Sequence, residues 1–351
     1  MNKRYRTVML GCGSMSGEWL SKVRDHFSDR VEIVGLVDLN VDSAVNRAKE
    51  FGHQNAWTGT LLEEAVRELK PEVVFNCTVP GAHLGTCKEA LEAGCHVLVE
   101  KPLATTVAEG RELVRASEQA GRCLAVIQNR RYHTGGIVAQ GALAEGVIGK
   151  VHTLCVDFFV APHFGGFRET MESPLLLDMA IHTFDQSRYL TGLNPRKVTC
   201  HEFNPPGSWF GHAASAMATF EMTDGVMFNY RGSWCAQGFP VDWNGSWRII
   251  GTKGTLLWDG GNMVEAERID ESWDGNGFMQ PVEKISIPLA PLTPAESGHG
   301  GNIAEFLDCI DNGGRPQTVA SDNMLSLAMV EAAIASARSG GASSSIPDNI
   351  L

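Results

Sequence analysis

The first third of the chain alternates short, nearly continuous apolar runs with amphipathic helical segments. Apolar runs of this kind, separated by helices, are typical of a parallel sheet that is covered on both faces. We therefore predict an α/β domain at the start of the chain. The predicted strands cover residues 7–10, 31–37, 72–77, 95–99 and 123–127, and the predicted helices cover residues 16–27, 42–51, 61–69, 83–93 and 107–120.

The hydrophobic pattern changes after about residue 150. Strand-like runs now follow one another with turn signals, rather than helices, between them. This order predicts an open, mainly antiparallel sheet in a second domain of the α+β class. The predicted strands cover residues 151–160, 197–203, 213–221, 226–234 and 246–250, a long helix covers about 174–190, and two closing helices cover 303–312 and 321–338.

Length and charge agree with two folded domains and exclude some partners. The chain has 351 residues, of which 43% are hydrophobic and 20% charged, and about 150 residues make one domain. Its 41 acidic and 29 basic residues give a formal net charge of −12, which disfavours nucleic acid and anionic membranes as partners. No apolar run approaches the roughly 20 residues of a membrane span, and the start of the chain does not resemble a signal peptide.

Nine cysteines are scattered along the chain. Their number is odd and no two of them form a C-x-x-C pair, so neither a disulfide scaffold nor a zinc ribbon is expected. Several fall in strand-like runs, where a reduced cysteine behaves as a small apolar residue. We therefore expect a cytoplasmic protein without a bound metal.

A glycine-rich turn follows the first predicted strand and opens the first helix. It reads Gly-Cys-Gly-Ser-Met-Ser from Gly11 to Ser16. A dinucleotide site needs Gly11 for the tight turn, Gly13 for close approach of the pyrophosphate, and a small third residue, here Ser16. Asp38 ends the second strand, where its carboxylate would bind ribose hydroxyls and repel a 2′-phosphate. These features predict a Rossmann domain that prefers NAD to NADP; the alternative is a structural turn with a helix-capping aspartate.

Glu100, Lys101 and Pro102 follow the fourth predicted strand and so lie at the carboxyl edge of the sheet. Ligands of open α/β sheets bind at that edge. A lysine there could hydrogen-bond a substrate oxygen and stabilise a developing alkoxide. It could equally be an ordinary surface lysine, and its position alone does not decide between the two.

The long helix of the second domain carries Asp178 and His182 on one face, with Asp185 one turn further along. Oxidation of an alcohol needs a group that accepts the hydroxyl proton, and histidine titrates near neutral pH. An aspartate one turn away could orient the imidazole. The competing interpretation is an exposed polar stripe on an amphipathic helix, which the spacing alone favours.

Over essentially its full length, the chain resembles the Gfo/Idh/MocA family of sugar and cyclitol oxidoreductases. The most specific matches are the Glu-Lys-Pro motif at 100–102 and the Asp-x-x-x-His helix at 178–182. The other matches are at 11–13, 37–38, 90–103, 129–132, 176–185 and 326–330.

The resemblance implies that Lys101, Asp178 and His182 are the catalytic residues, with His182 as the acid/base. The residues that match cofactor-binding positions, or that lie in the glycine turn, are Gly11, Gly13, Ser14, Met15, Asp38, Thr78, Pro80, His83, Glu100, Lys101 and Asn129. The expected substrate-binding residues are Lys101, Arg130, Tyr132, His163, Arg168, Asp178 and His182.

Together these observations predict an NAD-binding Rossmann domain at 1–128 and an α+β substrate domain at 129–351 that also carries the oligomer contact. We expect an NAD-dependent dehydrogenase of a sugar, glycoside or cyclitol, working as a homodimer or homotetramer. One alternative is a glycosidase that uses NAD for transient oxidation and elimination, which would release sugar without net redox change. The other is a non-catalytic NAD sensor, which would have no need of all three catalytic residues.

Overall fold

The computed structural model describes residues 3–347 and 350, which divide into two compact units. The first unit contains the described residues up to Tyr132, together with Leu292–Leu327 and Ile350. The second contains His133–Pro291 and the described residues from Ala328 onward. The first change of unit therefore lies four residues beyond the predicted boundary at 128/129. The segment Leu292–Leu327, which we had assigned to the second domain, joins the first unit.

The first unit is built on a parallel sheet of six strands in the order β3-β2-β1-β4-β5-β6. Its strands are β1 (Tyr5–Leu10), β2 (Val31–Val37), β3 (Trp57–Gly59), β4 (Val73–Asn76), β5 (His96–Val99) and β6 (Leu124–Val126). Its connecting helices are α1 (Ser14–His26), α2 (Val41–Glu50), α3 (Leu62–Leu69), α4 (Pro80–Glu92) and α5 (Val107–Ala120). The predicted parallel sheet is confirmed, with β3 as a sixth strand that the sequence did not reveal.

The order of the strands decides where this unit can bind a ligand. β1 and β4 are neighbours, and the chain runs outward from them in opposite directions, toward β3 on one side and β6 on the other. This reversal is the topological switch point at which open α/β sheets bind ligands, beside the carboxyl ends of the strands. The turns after β1, β2, β4 and β5 all lie at that edge.

The second unit holds a sheet of nine strands in the order β14-β13-β12-β11-β7-β10-β9-β8-β15, antiparallel except for the pairing of β7 with β10. These strands are β7 (Val151–Phe159), β8 (Pro195–Phe203), β9 (Ser215–Met222), β10 (Met227–Ser233), β11 (Ser246–Gly251), β12 (Gly254–Trp258), β13 (Val264–Ile269), β14 (Val282–Ile285) and β15 (Ser344–Ser345). The predicted mainly antiparallel sheet is confirmed, and it extends past the five strands that the sequence pattern indicated.

The described residues form five further α-helices: α6 (Thr134–Ala144), α7 (Phe167–Thr170), α8 (Ile181–Thr191), α9 (His299–Asn312) and α10 (Ala320–Arg338). A π-helix, Leu175–Ala180, leads directly into α8, so the predicted long helix begins with a wider turn. π-Helical turns are rare and occur frequently at functional sites. The boundary between the units falls within α10.

α9 belongs to the hydrophobic core of the first unit. It packs against α1 and β5, and its Ile303, Phe306 and Leu307 lie in one cluster with Trp19 and Leu20. All five side chains are buried. This packing explains why a segment near the end of the sequence joins the unit formed by its beginning.

In the part of the chain that the structure describes, no helix is both long and apolar enough to cross a membrane. Within residues 3–347 and 350, no group of three or more histidine, cysteine or acidic side chains could hold a metal ion. All nine cysteines lie among these residues, and each is a free thiol.

Candidate cofactor site and catalytic residues

The turn after β1 requires a glycine at its first position. Gly11 has a φ of +86°, in the region that glycine favours. A Cβ atom on Gly11 would lie 2.7 Å from the backbone carbonyl of Cys77 and 2.8 Å from the nitrogen of Thr78. Gly11 is therefore fixed by the fold of the first unit itself, because the end of β1 passes so close to the end of β4.

Gly13 has a different role, because its surroundings are open. Apart from its chain neighbours, no described residue places a heavy atom within 4 Å of a Cβ built on Gly13. Gly13, Ser14 and Met15 are all exposed at the start of α1, and no side chain caps that helix. The third position of the motif, Ser16, is buried and its hydroxyl donates to the Gly13 carbonyl over 2.7 Å. An exposed, uncapped helix N-terminus beside an open glycine suits a pyrophosphate.

Asp38 follows β2 and holds the glycine turn in place. Its carboxylate accepts the backbone N–H of Cys12 over 2.7 Å and that of Asn40 over 2.9 Å. Asp38 is half-buried, at the edge where an adenosine ribose would lie. The carboxylate thus shapes the turn in addition to its predicted role toward the ribose.

Arg47, on α2, reaches the glycine turn, which the sequence did not predict. Its guanidinium donates to the Gly13 carbonyl over 2.8 Å and pairs with Glu50, also at 2.8 Å. Asp38 would repel a 2′-phosphate, so a nearby cation would be needed to compensate that charge. The structure brings a cation to the turn from the following helix, although Glu50 already balances its charge.

The loop after β4 contains the predicted residue Thr78, and the helix α4 that follows it carries Pro80 and His83. Pro80 is the first residue of α4, and the Thr78 backbone N–H donates to the Asn76 side chain over 3.1 Å. His83 is fully buried, with one ring nitrogen 2.8 Å from the Pro102 carbonyl and the other 3.0 Å from the Thr78 carbonyl. Burial is the main cause that lowers the pKa of His83. His83 therefore ties this loop to the segment that follows Lys101.

Lys101 is half-buried two residues after the end of β5, at the carboxyl edge of the sheet. The neighbouring Glu100 is 8% exposed, and its carboxylate accepts the Trp19 indole N–H over 2.9 Å. His299, from the start of α9, places its Nε2 atom 3.5 Å from the same carboxylate oxygen. No local pattern predicts these two contacts, because Trp19 and His299 are far from Glu100 along the chain.

A short 3₁₀-helix, Asn129–Tyr132, follows β6 and carries three of the predicted residues. Asn129 and Arg130 are half-buried at the carboxyl edge. Tyr132 is buried instead, and its hydroxyl donates to the Glu305 carboxylate in a short hydrogen bond. Because this hydroxyl is already paired inside the first unit, we do not retain Tyr132 as a sugar-binding residue.

In the second unit, Asp178 lies in the π-helix and His182 is the second residue of α8. His182 is buried at 7% exposure. The Asp178 carboxylate accepts a charged hydrogen bond from the Arg168 Nε atom over 2.6 Å. We had expected Arg168 to bind substrate hydroxyls; the structure pairs it with Asp178. This pair keeps a negative charge at Asp178, one helical turn before the imidazole.

Aromatic side chains surround the Arg168–Asp178 pair on the side of the preceding loop. The Arg168 guanidinium lies 5.2 Å from the Phe164 ring centre and 4.9 Å from that of Phe167, which are cation–π distances. The predicted substrate residue His163 stacks on Trp209 at 3.8 Å. This part of the second unit offers stacking surfaces as well as charge.

The residues of the first unit fit a dinucleotide. Gly13 leaves space for a pyrophosphate, the N-terminus of α1 lacks a side-chain cap, and Asp38 stands at the end of β2. Thr78 and Lys101 lie at the same edge, after β4 and β5. The predicted cofactor positions are thus brought together, with His83 and Glu100 buried behind them.

Comparison with known proteins agrees with this geometry. Residues 5–128 match a family model described as the oxidoreductase family with an NAD-binding Rossmann fold, and residues 138–257 match the Gfo/Idh/MocA C-terminal domain. The chain is 28% identical to the D-apiose dehydrogenase of Paraburkholderia graminis, covering 96% of this chain and 89% of that protein. It is 25% identical to the 1,5-anhydro-D-fructose reductase of Ensifer adhaerens, covering 96% and 97%.

Solved structures share the fold over the whole chain. An oxidoreductase from Agrobacterium radiobacter, solved with NAD⁺, L-tartaric acid and magnesium, has a TM-score of 0.83 at 20% identity and covers 98% of this chain and 99% of its own. The WlbA dehydrogenase from Bordetella pertussis, solved with NADH and UDP-GlcNAcA, has a TM-score of 0.80 at 21% identity and covers 99% and 100%. From the two family matches and the geometry of the glycine turn, the chain belongs to the Gfo/Idh/MocA family of oxidoreductases, and its first domain is an NAD-binding Rossmann domain.

Proposed function

We propose that this protein is an NAD-dependent dehydrogenase that transfers a hydride between nicotinamide and a hydroxyl-bearing or carbonyl carbon of a sugar, glycoside or cyclitol. The observation that carries this proposal is the position of Lys101, two residues after the end of β5 and at the same sheet edge as the glycine turn. The similarity to the D-apiose dehydrogenase and the 1,5-anhydro-D-fructose reductase supports a carbohydrate substrate.

Lys101 would bind the oxygen on the carbon that reacts. Its ammonium donates a hydrogen bond to the substrate hydroxyl and stabilises the negative charge that develops on this oxygen. Bound NAD⁺ supplies the hydride acceptor. Asn129, Arg130 and Thr78, which lie at the same edge of the sheet, are the proposed neighbours of cofactor and substrate.

His182 would accept the hydroxyl proton as the C–H bond breaks, so that the alcohol loses one hydride and one proton. Asp178 favours the charged imidazolium that results. Arg168 holds the Asp178 carboxylate over 2.6 Å and so fixes its orientation. In this scheme Arg168 is a positioning residue rather than a ligand of the sugar.

The test is a spectrophotometric screen of NAD⁺ reduction over inositols, pentoses, hexoses and glycosides, with the parent and Lys101→Ala. We expect the variant to lose about 10²- to 10³-fold in kcat, because it lacks the group that stabilises the developing charge. The affinity for NAD, measured by calorimetry, should change little. Lys88→Ala is the matched control, because Lys88 is a half-buried lysine of α4, outside the site, that pairs with Glu112.

Two results would contradict the proposal. Lys101→Ala with nearly full kcat would show that this lysine is a bystander. Release of sugar from a glycoside without net NADH formation would favour the redox-neutral glycosidase.

The same screen also tests the proton acceptor. Near neutral pH the parent's oxidation rate should rise with pH through one ionisation, because only the neutral imidazole accepts a proton. His182→Asn should lose this rise together with most of the activity. If the rise survives in His182→Asn, the base is another group, and Lys101 would be examined next.

A further inference from the structure

The buried carboxylate of Glu100 is the strongest unexplained feature near the proposed catalytic lysine. Glu100 is 8% exposed and directly precedes Lys101. One carboxylate oxygen accepts the Trp19 indole N–H over 2.9 Å and lies 3.5 Å from the His299 Nε2 atom. The other oxygen accepts the backbone N–H of Lys101 over 3.2 Å. Trp19 and His299 are themselves buried, so these contacts are shielded from water.

A buried carboxylate is costly unless it is paired and hydrogen-bonded. Burial alone would raise the pKa of Glu100, but the hydrogen bonds and charges of His299, Trp19 and Lys101 outweigh it and hold the pKa below its ordinary value. Two other titratable groups face this carboxylate. Burial and the Glu100 charge together raise the pKa of Cys77, while burial lowers that of His83 against the opposing effect of Glu100. Glu100 is thus an anion over the pH range in which the enzyme would work.

We infer that His299 is a positioning residue for the reaction. Together with Trp19 it fixes the Glu100 carboxylate, and Glu100 in turn anchors the peptide from which the Lys101 side chain extends. This inference rests on the proposed role of Lys101.

The reason lies in the length of the lysine side chain. An ammonium at the end of a flexible four-carbon stem is placed accurately only if its own backbone is held. The Glu100 carboxylate holds the Lys101 backbone N–H and also places a negative charge beside that lysine. His299 comes from α9, a segment that packs on α1 and β5, so a residue from late in the sequence would control the geometry of the lysine.

The experiment compares the parent, His299→Ala and His299→Gln in kcat, NAD affinity and pH profile. Misplacing the ammonium in His299→Ala should lower kcat by roughly ten- to a hundredfold, with unchanged NAD affinity. Removing a partner of the anion raises the pKa of Glu100. This ionisation lies on the acid side of the one assigned to His182, so a second, more acidic loss of kcat should move upward by about one pH unit. His299→Gln should return both values toward the parent, because its amide N–H can donate to the same oxygen.

The control is His53→Gln, a half-buried histidine outside the site, which should leave kcat and the pH profile unchanged. If His299→Ala does not fold, Trp19→Phe removes the other donor to this oxygen and must move the acid limb in the same direction. An active parent whose acid limb stays in place in these variants would overturn the inference alone. A parent that oxidises no carbohydrate would overturn the proposed function, and this inference with it.

Discussion

The two glycines of the turn after β1 should respond differently to the same substitution. Gly11→Ala would force a side chain into a backbone with φ of +86°, which costs about 1–2 kcal/mol. The new Cβ would also lie 2.7 Å from the Cys77 carbonyl, so the backbone must shift at a further cost of about 1–3 kcal/mol. We expect Gly11→Ala to lower the free energy of unfolding by roughly 2–5 kcal/mol.

Gly13→Ala should leave the fold intact and weaken NAD binding. Gly13 has φ −73° and ψ −166°, which alanine adopts easily, and no described residue beyond its neighbours lies within 4 Å of the new Cβ. The unfolded chain loses freedom, so stability should rise by about 0.4–1 kcal/mol. The methyl group would occupy the path of the pyrophosphate, and losing one charged hydrogen bond would weaken NAD binding by about 10- to 100-fold.

Urea unfolding measures the stability of each variant, and calorimetric titration measures NAD binding. Gly141→Ala is the control, since Gly141 lies in α6 with similar free space around its Cβ; it should bind NAD like the parent. The reasoning would be refuted if Gly13→Ala bound NAD normally, or if it were destabilised as much as Gly11→Ala.

Two further predictions concern single side chains of the first unit. Asp38→Ala should narrow the preference for NAD over NADP in calorimetric titrations, because it relieves repulsion of the 2′-phosphate. It should also weaken the binding of both cofactors, since the Cys12 N–H loses its acceptor. Tighter binding of NADP than of NAD by the parent would contradict this prediction. Burial lowers the pKa of His96 from 6.5 to about 4, and the neutral ring accepts the Cys123 N–H over 3.0 Å. The neutral ring therefore stabilises the folded state. This contribution is complete above pH 6.5 and is lost as the pH falls toward 4. The full pKa shift corresponds to roughly 3 kcal/mol of stability, which the partial exposure of the ring reduces to about 1–2 kcal/mol. Urea unfolding at pH 7.5 and pH 5 measures this loss in the parent, in His96→Gln and in the exposed control His152→Gln. The parent and the control should lose this stability at pH 5, and His96→Gln should not.

Local patterns were sufficient for most of the first unit. The helix Val107–Ala120 and the strand Val31–Val37 have the bounds that the sequence predicts. The helix is well signalled because Thr106 caps its start, accepting the Glu109 N–H, and Gly121 ends it in a left-handed conformation. For both elements, the residues that begin them, their hydrophobic periodicity and the residues that end them are all close together in the sequence.

Elements that depend on distant partners escaped prediction. β3, Trp57–Gly59, has only three residues and is held by its pairing with β2. α6 contains three glycines, which argue against a helix. Gly135 is nevertheless required there, because a Cβ would lie 2.1 Å from the Gly261 carbonyl. The sequence around β3 and α6 contains no pattern that indicates these contacts, because the partner residues lie elsewhere in the chain.

The same distinction applies to the candidate site. The glycine turn, Asp38 and Lys101 could be found because each lies within two residues of the end of a predicted strand. The pairing of Arg168 with Asp178 could not, since the short helix α7 and a π-helix bring the two residues together. The type and position of a residue were therefore enough to name it as a candidate. Only the folded chain shows which other side chain it contacts.

The late segment Leu292–Leu327 has a consequence for how the protein is made. Synthesis proceeds from the N-terminus, and domains generally fold as units once their residues have emerged. The cluster around Trp19 and Leu20 includes Ile303, Phe306 and Leu307, so it stays incomplete until α9 leaves the ribosome. The second unit's sheet is by then largely synthesised, apart from β15. The nucleotide-binding unit, although first in the sequence, is therefore among the last parts of the chain to reach its final packing.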